Sequence, residues 1–142
     1  MTLRQLISRS MAESDSITTT IQTTIDAYMA AFTATDREAW LGCFAEDAWI
    51  EDPVGTPRRE GLAAIGEYWD DAQAIPDIIE LRPLDLRVII GNEAAFTMQA
   101  RPNLGGDTYA LDIIDVMTFD DDGKITSNRA FYDPDALRRA EE

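Results

Sequence analysis

A single carboxylate interrupts the apolar face of a stretch that is otherwise typical of a buried strand, Tyr109 to Phe119. Side chains alternate between faces along a strand, so Asp115 shares its face with four apolar residues. These are Leu111, Ile113, Met117 and Phe119. A lone buried charge is costly unless it is paired, hydrated or protonated. Asp115 is therefore a candidate for acid–base chemistry, and the alternative is a structural Asp at a strand end or dimer seam, bonded to an amide or an Arg.

Tyr28 is a second candidate, because a helical pattern places it toward the interior. It lies in a stripe of apolar residues at spacings of three and four. The stripe contains Ile21, Ile25, Met29 and Phe32. A buried phenol needs a hydrogen-bond partner, which is either a functional group or a backbone carbonyl.

Asp52 is the third candidate, at the end of a predicted short strand from Ala48 that Pro53 halts. It falls on the face of Ala48 and Ile50. An Asp before Pro is equally typical of a residue that caps a turn, and this segment alone favours that interpretation.

The composition of the chain leaves Asp, Glu, Tyr and Lys as the side chains that could perform acid–base chemistry. The chain has no His, which excludes Ser-His-Asp triads, Cys-His pairs and histidine zinc sites. A net charge of −15 disfavours nucleic acid and anionic membranes as partners, and an apolar small molecule is expected instead. The single Cys cannot form an internal disulfide, so a cytoplasmic location is the default expectation.

The order of predicted elements indicates an α+β fold. The predicted helices are one from Asp15 or Ser16 to Thr33, a short one opened by a capping box at Thr35, and Gly61–Gln73. The predicted long strands are Ile78–Ile90, Ala94–Ala100, Tyr109–Phe119 and Lys124–Tyr132. We expect three helices packed on a strongly curved antiparallel sheet that forms a cone-shaped pocket. Residues 1–16 are predicted to be a polar extension and residues 17–142 a single domain.

Three motifs together resemble the ketosteroid isomerases (steroid delta-isomerases) of the nuclear-transport-factor-2-like, SnoaL-like superfamily. They are Asp26-Ala-Tyr28, Phe44-Ala-Glu-Asp-Ala-Trp-Ile-Glu-Asp-Pro-Val-Gly55 and Ala110-Leu-Asp-Ile-Ile-Asp-Val-Met117. The similarity runs from about Ile21 to Tyr132. It implies a homodimer joined through the outer sheet face, and a reaction that needs no metal or organic cofactor.

Carried over by position, the resemblance implies Asp52 as catalytic base, Tyr28 as phenolic oxyanion donor and Asp115 as a second, protonated donor. The neutral carboxylic acid donor is a known feature of that family. The implied reaction shifts a double bond in a 3-ketosteroid or similar enolisable ketone through a dienolate. Six side chains are predicted to hold a flat, apolar substrate. They are Trp69, Phe96, Met98, Val116, Met117 and Tyr132.

The chain departs from the family pattern at aromatic positions. Trp69, with Tyr68 beside it, occupies the place of a tyrosine that supports the oxyanion tyrosine, and Phe44 replaces another. Since Trp can donate but not accept, the network behind Tyr28 is predicted to be shorter or different. The alternatives to an isomerase are a non-catalytic protein that binds steroids or other hydrophobic small molecules, and another lyase or hydrolase on the same scaffold.

Overall fold

The computed structural model of the protein describes residues 1–140, except for the side chains of residues 9–15. Its helices are α1 (Leu3–Thr33), α2 (Arg37–Leu41), α3 (Gly61–Gln73) and a 3-10 turn at Pro134–Ala136. Its strands are β1 (Phe44–Glu51), β2 (Arg59–Glu60), β3 (Ile78–Ile90), β4 (Glu93–Leu104), β5 (Asp107–Phe119), β6 (Ile125–Phe131) and β7 (Arg138–Arg139).

In residues 1–140, seven strands form one sheet in the order β2-β1-β6-β5-β4-β3, with β7 paired to β5. The pairing of β1 with β6 is parallel, and the other described pairs are antiparallel. The register of β3 on β4 shifts between Pro83 and Arg87, an irregularity that bends and twists strands. Helices pack on the concave side of the sheet, and the predicted α+β fold is confirmed.

Helix α1 begins earlier than the predicted start at Asp15 or Ser16. Thr2 caps it through a reciprocal capping box with Gln5, and the helix runs from Leu3. Residues 1–16 contain neither Gly nor Pro, so nothing in their sequence ends a helix once it has been capped at Thr2. The side chain of Asp15 lies outside the described residues.

Two other predicted boundaries are wrong for local reasons. Helix α2 is capped by Asp36, whose carboxylate accepts from the backbone N–H of Ala39 at 3.1 Å, rather than by Thr35. Strand β4 continues to Leu104, beyond its predicted end at Ala100, and β5 begins at Asp107, so the turn between them consists of Gly105 and Gly106. Both glycines have positive φ, which a glycine adopts without steric cost in a tight hairpin.

The convex face of the sheet carries exposed apolar side chains. We call four of them the outer patch: Leu84, Leu86, Ile114 and Phe131. Within the described part of the chain, no helix has both the length and the apolar character that crossing a membrane requires.

Candidate active site

A cavity of about 270 Å³ lies between α1, α3 and the concave face of the sheet. Four polar side chains contribute to its lining: Tyr28, Asp52, Tyr68 and Tyr132. The other described lining residues are apolar, and they include Phe32, Leu81, Met98, Leu111, Ile113 and Ala130. This combination of an apolar wall and a few convergent polar groups is typical of a small-molecule site.

Asp52 lies directly after β1, where the chain leaves the sheet and reaches the cavity. The Tyr132 hydroxyl donates to Asp52 Oδ1 at 2.6 Å, across 80 residues of sequence. Burial raises the pKa of the Asp52 carboxyl, while hydrogen bonds from Tyr132 and Tyr68 and the charge of Arg59 oppose that rise. A carboxylate with a raised pKa inside an apolar cavity is suited to accept a proton.

Tyr28 reaches the same cavity from α1, where it is 3% exposed. Burial raises the pKa of its phenol well above the ordinary value, and the negative charge of Asp52 adds to that rise. The phenol therefore stays protonated at neutral pH and keeps an O–H that can donate a hydrogen bond.

Asp115 is 0% exposed on the inner face of β5, opposite Phe96 on β4 and Ala130 on β6. Burial raises the pKa of its carboxyl well above the ordinary value, and the charge of Asp52 raises it further, against an opposing interaction with Asn128. Neither oxygen has a hydrogen-bond partner among the described residues. Burial and the charge of Asp52 therefore favour the neutral, protonated form of Asp115. It is not among the described lining residues, but its neighbours Ile113 and Ala130 are.

The structure places only two of the six predicted substrate-holding side chains in the cavity wall, Met98 and Tyr132. The other four lie outside its described lining. Phe96 and Met117 are buried deeper in the core, at 1% and 0% exposure. Val116 points to the opposite face of β5 from Asp115, because neighbouring side chains on a strand alternate.

Trp69 is the last of the four predicted side chains that lie outside the described cavity lining. Its ring packs on Phe32 at 4.9 Å and on Trp40 at 5.1 Å, behind the cavity. Consecutive helical residues point about 100° apart, so when Trp69 faces the aromatic core, Tyr68 faces Asp52. Tyr68 is the polar residue that the sequence prediction missed. Tyr68 lies four residues before Ala72, which also lines the cavity, so the two share one face of α3. This spacing could have placed Tyr68 on the cavity face, but a single alanine is only weak evidence for an apolar helix face.

Residues 25–128 match the family model described as "SnoaL-like domain". The chain belongs to the SnoaL-like family. This SnoaL-like protein is also 37% identical over 114 residues to a protein of Nocardioides simplex named Steroid Delta-isomerase. The aligned region covers 80% of this chain and 90% of that protein.

Two solved structures share the fold of this SnoaL-like chain. The epoxide hydrolase/cyclase-like enzyme SalBIII, of pyran ring formation in the polyether salinomycin, has a TM-score of 0.75 and 25% identity, covering 84% of this chain and 95% of its own. The RV0760c protein of Mycobacterium tuberculosis has a TM-score of 0.75 and 22% identity, covering 85% of this chain and 96% of its own. The second likeness is evidence for the fold alone.

Proposed function

We propose that this SnoaL-like protein is a cofactor-independent isomerase that shifts a carbon–carbon double bond in a 3-ketosteroid or a similar enolisable ketone. The observation that carries the proposal is that Asp52 and Tyr28 line one apolar cavity, with the fully buried Asp115 beside the lining residues Ile113 and Ala130. Burial raises the pKa of all three groups, but hydrogen bonds from two phenols oppose that rise at Asp52 and favour its carboxylate, whereas at Tyr28 and Asp115 the negative charge of Asp52 adds to the rise and favours the protonated form. The similarity to the named Steroid Delta-isomerase supports the same reaction class.

Asp52 would act as the proton shuttle. Its carboxylate removes a proton from the carbon between the ketone and the double bond, and the electron pair moves onto the ketone oxygen to give a dienolate. The protonated Asp52 then returns the proton to the far end of the former double bond, which leaves a conjugated ketone. One carboxylate serves both steps because the apolar cavity limits exchange of that proton with water.

Tyr28 and Asp115 would stabilise the dienolate oxygen. Both are buried and protonated, so each offers an O–H donor where negative charge develops. Donors in a water-poor cavity are worth more than in bulk water, and they act most strongly on the charged intermediate. Their effect is therefore expected mainly in turnover, with a smaller effect on substrate binding.

A spectrophotometric assay tests the proposal directly. An unconjugated 3-ketosteroid incubated with the protein should develop the ultraviolet absorbance of a conjugated enone, at a rate proportional to protein concentration. Tight binding of a phenolic steroid with no enone formation from any ketosteroid offered would instead identify a steroid-binding protein without this activity.

A second candidate function is acid–base opening or cyclisation of an epoxide. The observation that favours it is the pair of Asp52 and Asp115, one suited to accept a proton from a hydroxyl and the other to donate to an epoxide oxygen. The 25% identity to SalBIII is consistent with it. Offering an apolar hydroxy-epoxide and an unconjugated ketosteroid side by side, with product analysis by mass spectrometry, discriminates between the two chemistries.

We also propose that the protein forms a homodimer through the outer patch. The chain carries a net charge of −15, yet Leu84, Leu86, Ile114 and Phe131 offer an exposed apolar area for a second copy. Light scattering coupled to size-exclusion chromatography should give a dimer for the parent and a monomer for Leu86→Asp. A monomeric parent at micromolar concentration would refute this assembly.

A further inference from the structure

The indole of Trp40 is a buried donor that the proposed reaction leaves unused. Trp40 belongs to α2 and is 1% exposed, and its Nε1–H has no hydrogen-bond partner at bonding distance among the described residues. A buried N–H without an acceptor is costly, and such groups in proteins almost always have one nearby. An acceptor is therefore expected within a small movement of this indole.

Five aromatic rings surround Trp40. Their centroids lie at 5.6 Å (Tyr28), 5.8 Å (Phe32), 4.9 Å (Phe44), 6.2 Å (Tyr68) and 5.1 Å (Trp69) from it. Of these rings, only the two tyrosines carry an oxygen that can accept a hydrogen bond. The Tyr28 ring is the nearer of the two, with its centroid 5.6 Å from that of Trp40 against 6.2 Å for Tyr68, which makes the Tyr28 hydroxyl the favoured acceptor.

We propose that Trp40 is a positioning residue for Tyr28: its Nε1–H donates to Tyr28 Oη and thereby directs the phenolic proton of Tyr28 into the cavity. This inference rests on the proposed role of Tyr28 as a donor to a ligand oxygen. Indole nitrogen donates and cannot accept, so the Tyr28 proton cannot turn back toward Trp40 and remains available to the ligand.

Two further observations agree with this role. The Trp40 side chain lowers the pKa of Tyr28, against the larger rise that burial causes, as a donor to the phenol oxygen would. The departures at Phe44 and Trp69 also leave Tyr28 without tyrosines at those positions. A phenol that accepts one hydrogen bond becomes a stronger donor through polarisation, so Trp40 would strengthen the bond from Tyr28 to the ligand.

A double-mutant cycle separates this role from simple packing. Trp40→Phe keeps a ring but removes the N–H, and we expect kcat to fall by about 3- to 10-fold, the scale of one neutral hydrogen bond, with little change in KM. In a Tyr28→Phe background the same substitution should cost nothing more. An equal loss in both backgrounds would mean that Trp40 only fills space, and it would overturn the proposal.

Trp69→Phe is the matched control. It removes the same part of an indole from the same cluster, and its ring contacts are with Phe32 and Trp40. Whatever its cost, that cost should be the same with Tyr28 or Phe at position 28. If Trp69→Phe and Tyr28→Phe were coupled as strongly as Trp40→Phe and Tyr28→Phe, the assignment of Trp40 as the positioning residue would be contradicted.

Nuclear magnetic resonance tests the hydrogen bond from Trp40 to Tyr28 even if the ketosteroid assay is negative. In protein labelled with ¹³Cζ-tyrosine, the Tyr28 signal, assigned by its loss in Tyr28→Phe, should move in Trp40→Phe and stay in place in Trp69→Phe. A negative enone assay with this result would reject the isomerase and keep the Trp40–Tyr28 bond. An unmoved Tyr28 signal would reject the bond whatever the activity.

A complementary measurement avoids altering Trp40, should Trp40→Phe fail to fold. The chain has three Trp residues, so an ¹⁵N-indole spectrum contains three side-chain signals that single Trp49→Phe and Trp69→Phe variants assign. The Trp40 indole proton should shift upfield and exchange faster in Tyr28→Phe than in the parent. An unchanged signal would show that the Tyr28 oxygen is not its acceptor.

Discussion

The end of β1 and the middle of β5 give the same side chain two different environments. Asp52 lies where the chain leaves the sheet; burial raises the pKa of its carboxyl, but two phenols and the charge of Arg59 oppose that rise and favour the ionised form. Asp115 lies on the inner face of a central strand, and the charge of Asp52 adds to burial in favouring the protonated form. Only the interaction with Asn128 opposes that effect.

Position in the sheet therefore sets how strongly each carboxyl favours its protonated form, and Asp115 favours it more strongly than Asp52. A strand end lets donors from a helix and from another strand converge on a carboxyl, whereas a mid-strand position is enclosed by cross-strand neighbours that are largely apolar. Two carboxyls whose pKa values are pushed apart by their surroundings can serve as base and acid in one cavity. The proposed mechanism depends on that separation, so each prediction below tests one side of it.

The largest loss of turnover is expected from substitution of Asp52. Asp52→Asn removes the base but can still accept a hydrogen bond from Tyr132, so the cavity should persist. Turnover of an unconjugated ketosteroid should fall by about 100-fold or more, the usual scale for losing a general base. Asp47→Asn, an exposed change on the same strand, is the matched control. Turnover within a few-fold of the parent would reduce Asp52 to a turn cap.

Tyr28→Phe should produce the next largest loss. Removing a donor to the dienolate oxygen should lower kcat by about 100-fold while KM changes little, because the lost bond strengthens as charge develops. Steady-state kinetics on the same ketosteroid provide the measurement. A raised KM with unchanged kcat would place Tyr28 in substrate binding and remove it from the reaction.

Two substitutions of similar size test whether Asp115 donates a hydrogen bond to the intermediate. Asp115→Leu has no donor and should lower kcat by about 10- to 100-fold, whereas Asp115→Asn keeps an N–H donor and should lose less. Both losses should appear in kcat with the same ketosteroid. Equal losses in the two variants would mean that Asp115 does not act as a hydrogen-bond donor to the intermediate.

The pH dependence of stability gives a prediction that is independent of activity. Above the unfolded pKa of about 3.9, native Asp115 keeps a proton that the unfolded chain has lost, so its contribution to stability falls as pH rises. Relative to the parent, Asp115→Asn should gain free energy of unfolding between pH 4 and neutrality, by at most about 1.4 kcal/mol per pH unit. Urea titrations at several pH values measure this difference.

Asp112, three residues away on the outer face of β5, is the matched control for that experiment. Hydrogen bonds from Gln99 and Arg138 lower the pKa of its carboxyl, so its contribution to stability rises with pH through the unfolded pKa. Asp112→Asn should therefore change the pH slope in the opposite sense. Slopes of the same sign in both variants would contradict the protonated state of Asp115.

The smallest effect on activity is expected from substitution of Tyr132, whose hydroxyl donates to Asp52. Tyr132→Phe removes the 2.6 Å hydrogen bond to Oδ1 and should raise the pKa of Asp52, so the acid limb of the kcat/KM profile should move to higher pH. At the acid end, activity should fall by a few-fold. Tyr109→Phe, on β5, should leave the limb in place. A limb unchanged in Tyr132→Phe would mean that this bond does not control the base.

Local periodicity in the sequence was sufficient to predict the burial of two polar side chains of the candidate site, Asp115 and Tyr28. The alternation along Tyr109–Phe119 predicted an interior Asp115, and the helical stripe predicted an interior Tyr28; these residues are 0% and 3% exposed. Burial follows local pattern because each element must turn its apolar side to the core. The order of helices and strands was sufficient for the fold class for the same reason.

The tertiary structure alone decided which groups meet. The bond from Tyr132 to Asp52 spans 80 residues, and the choice of Tyr68 rather than Trp69 to face the cavity depends on the rotation of α3 against the sheet. Trp40 likewise lies beside Tyr28 only because α2 packs against α1. Hydrogen bonds weaken within fractions of an ångström, whereas a sequence pattern specifies only the face of an element. Partners distant in the chain are therefore determined by how the elements pack.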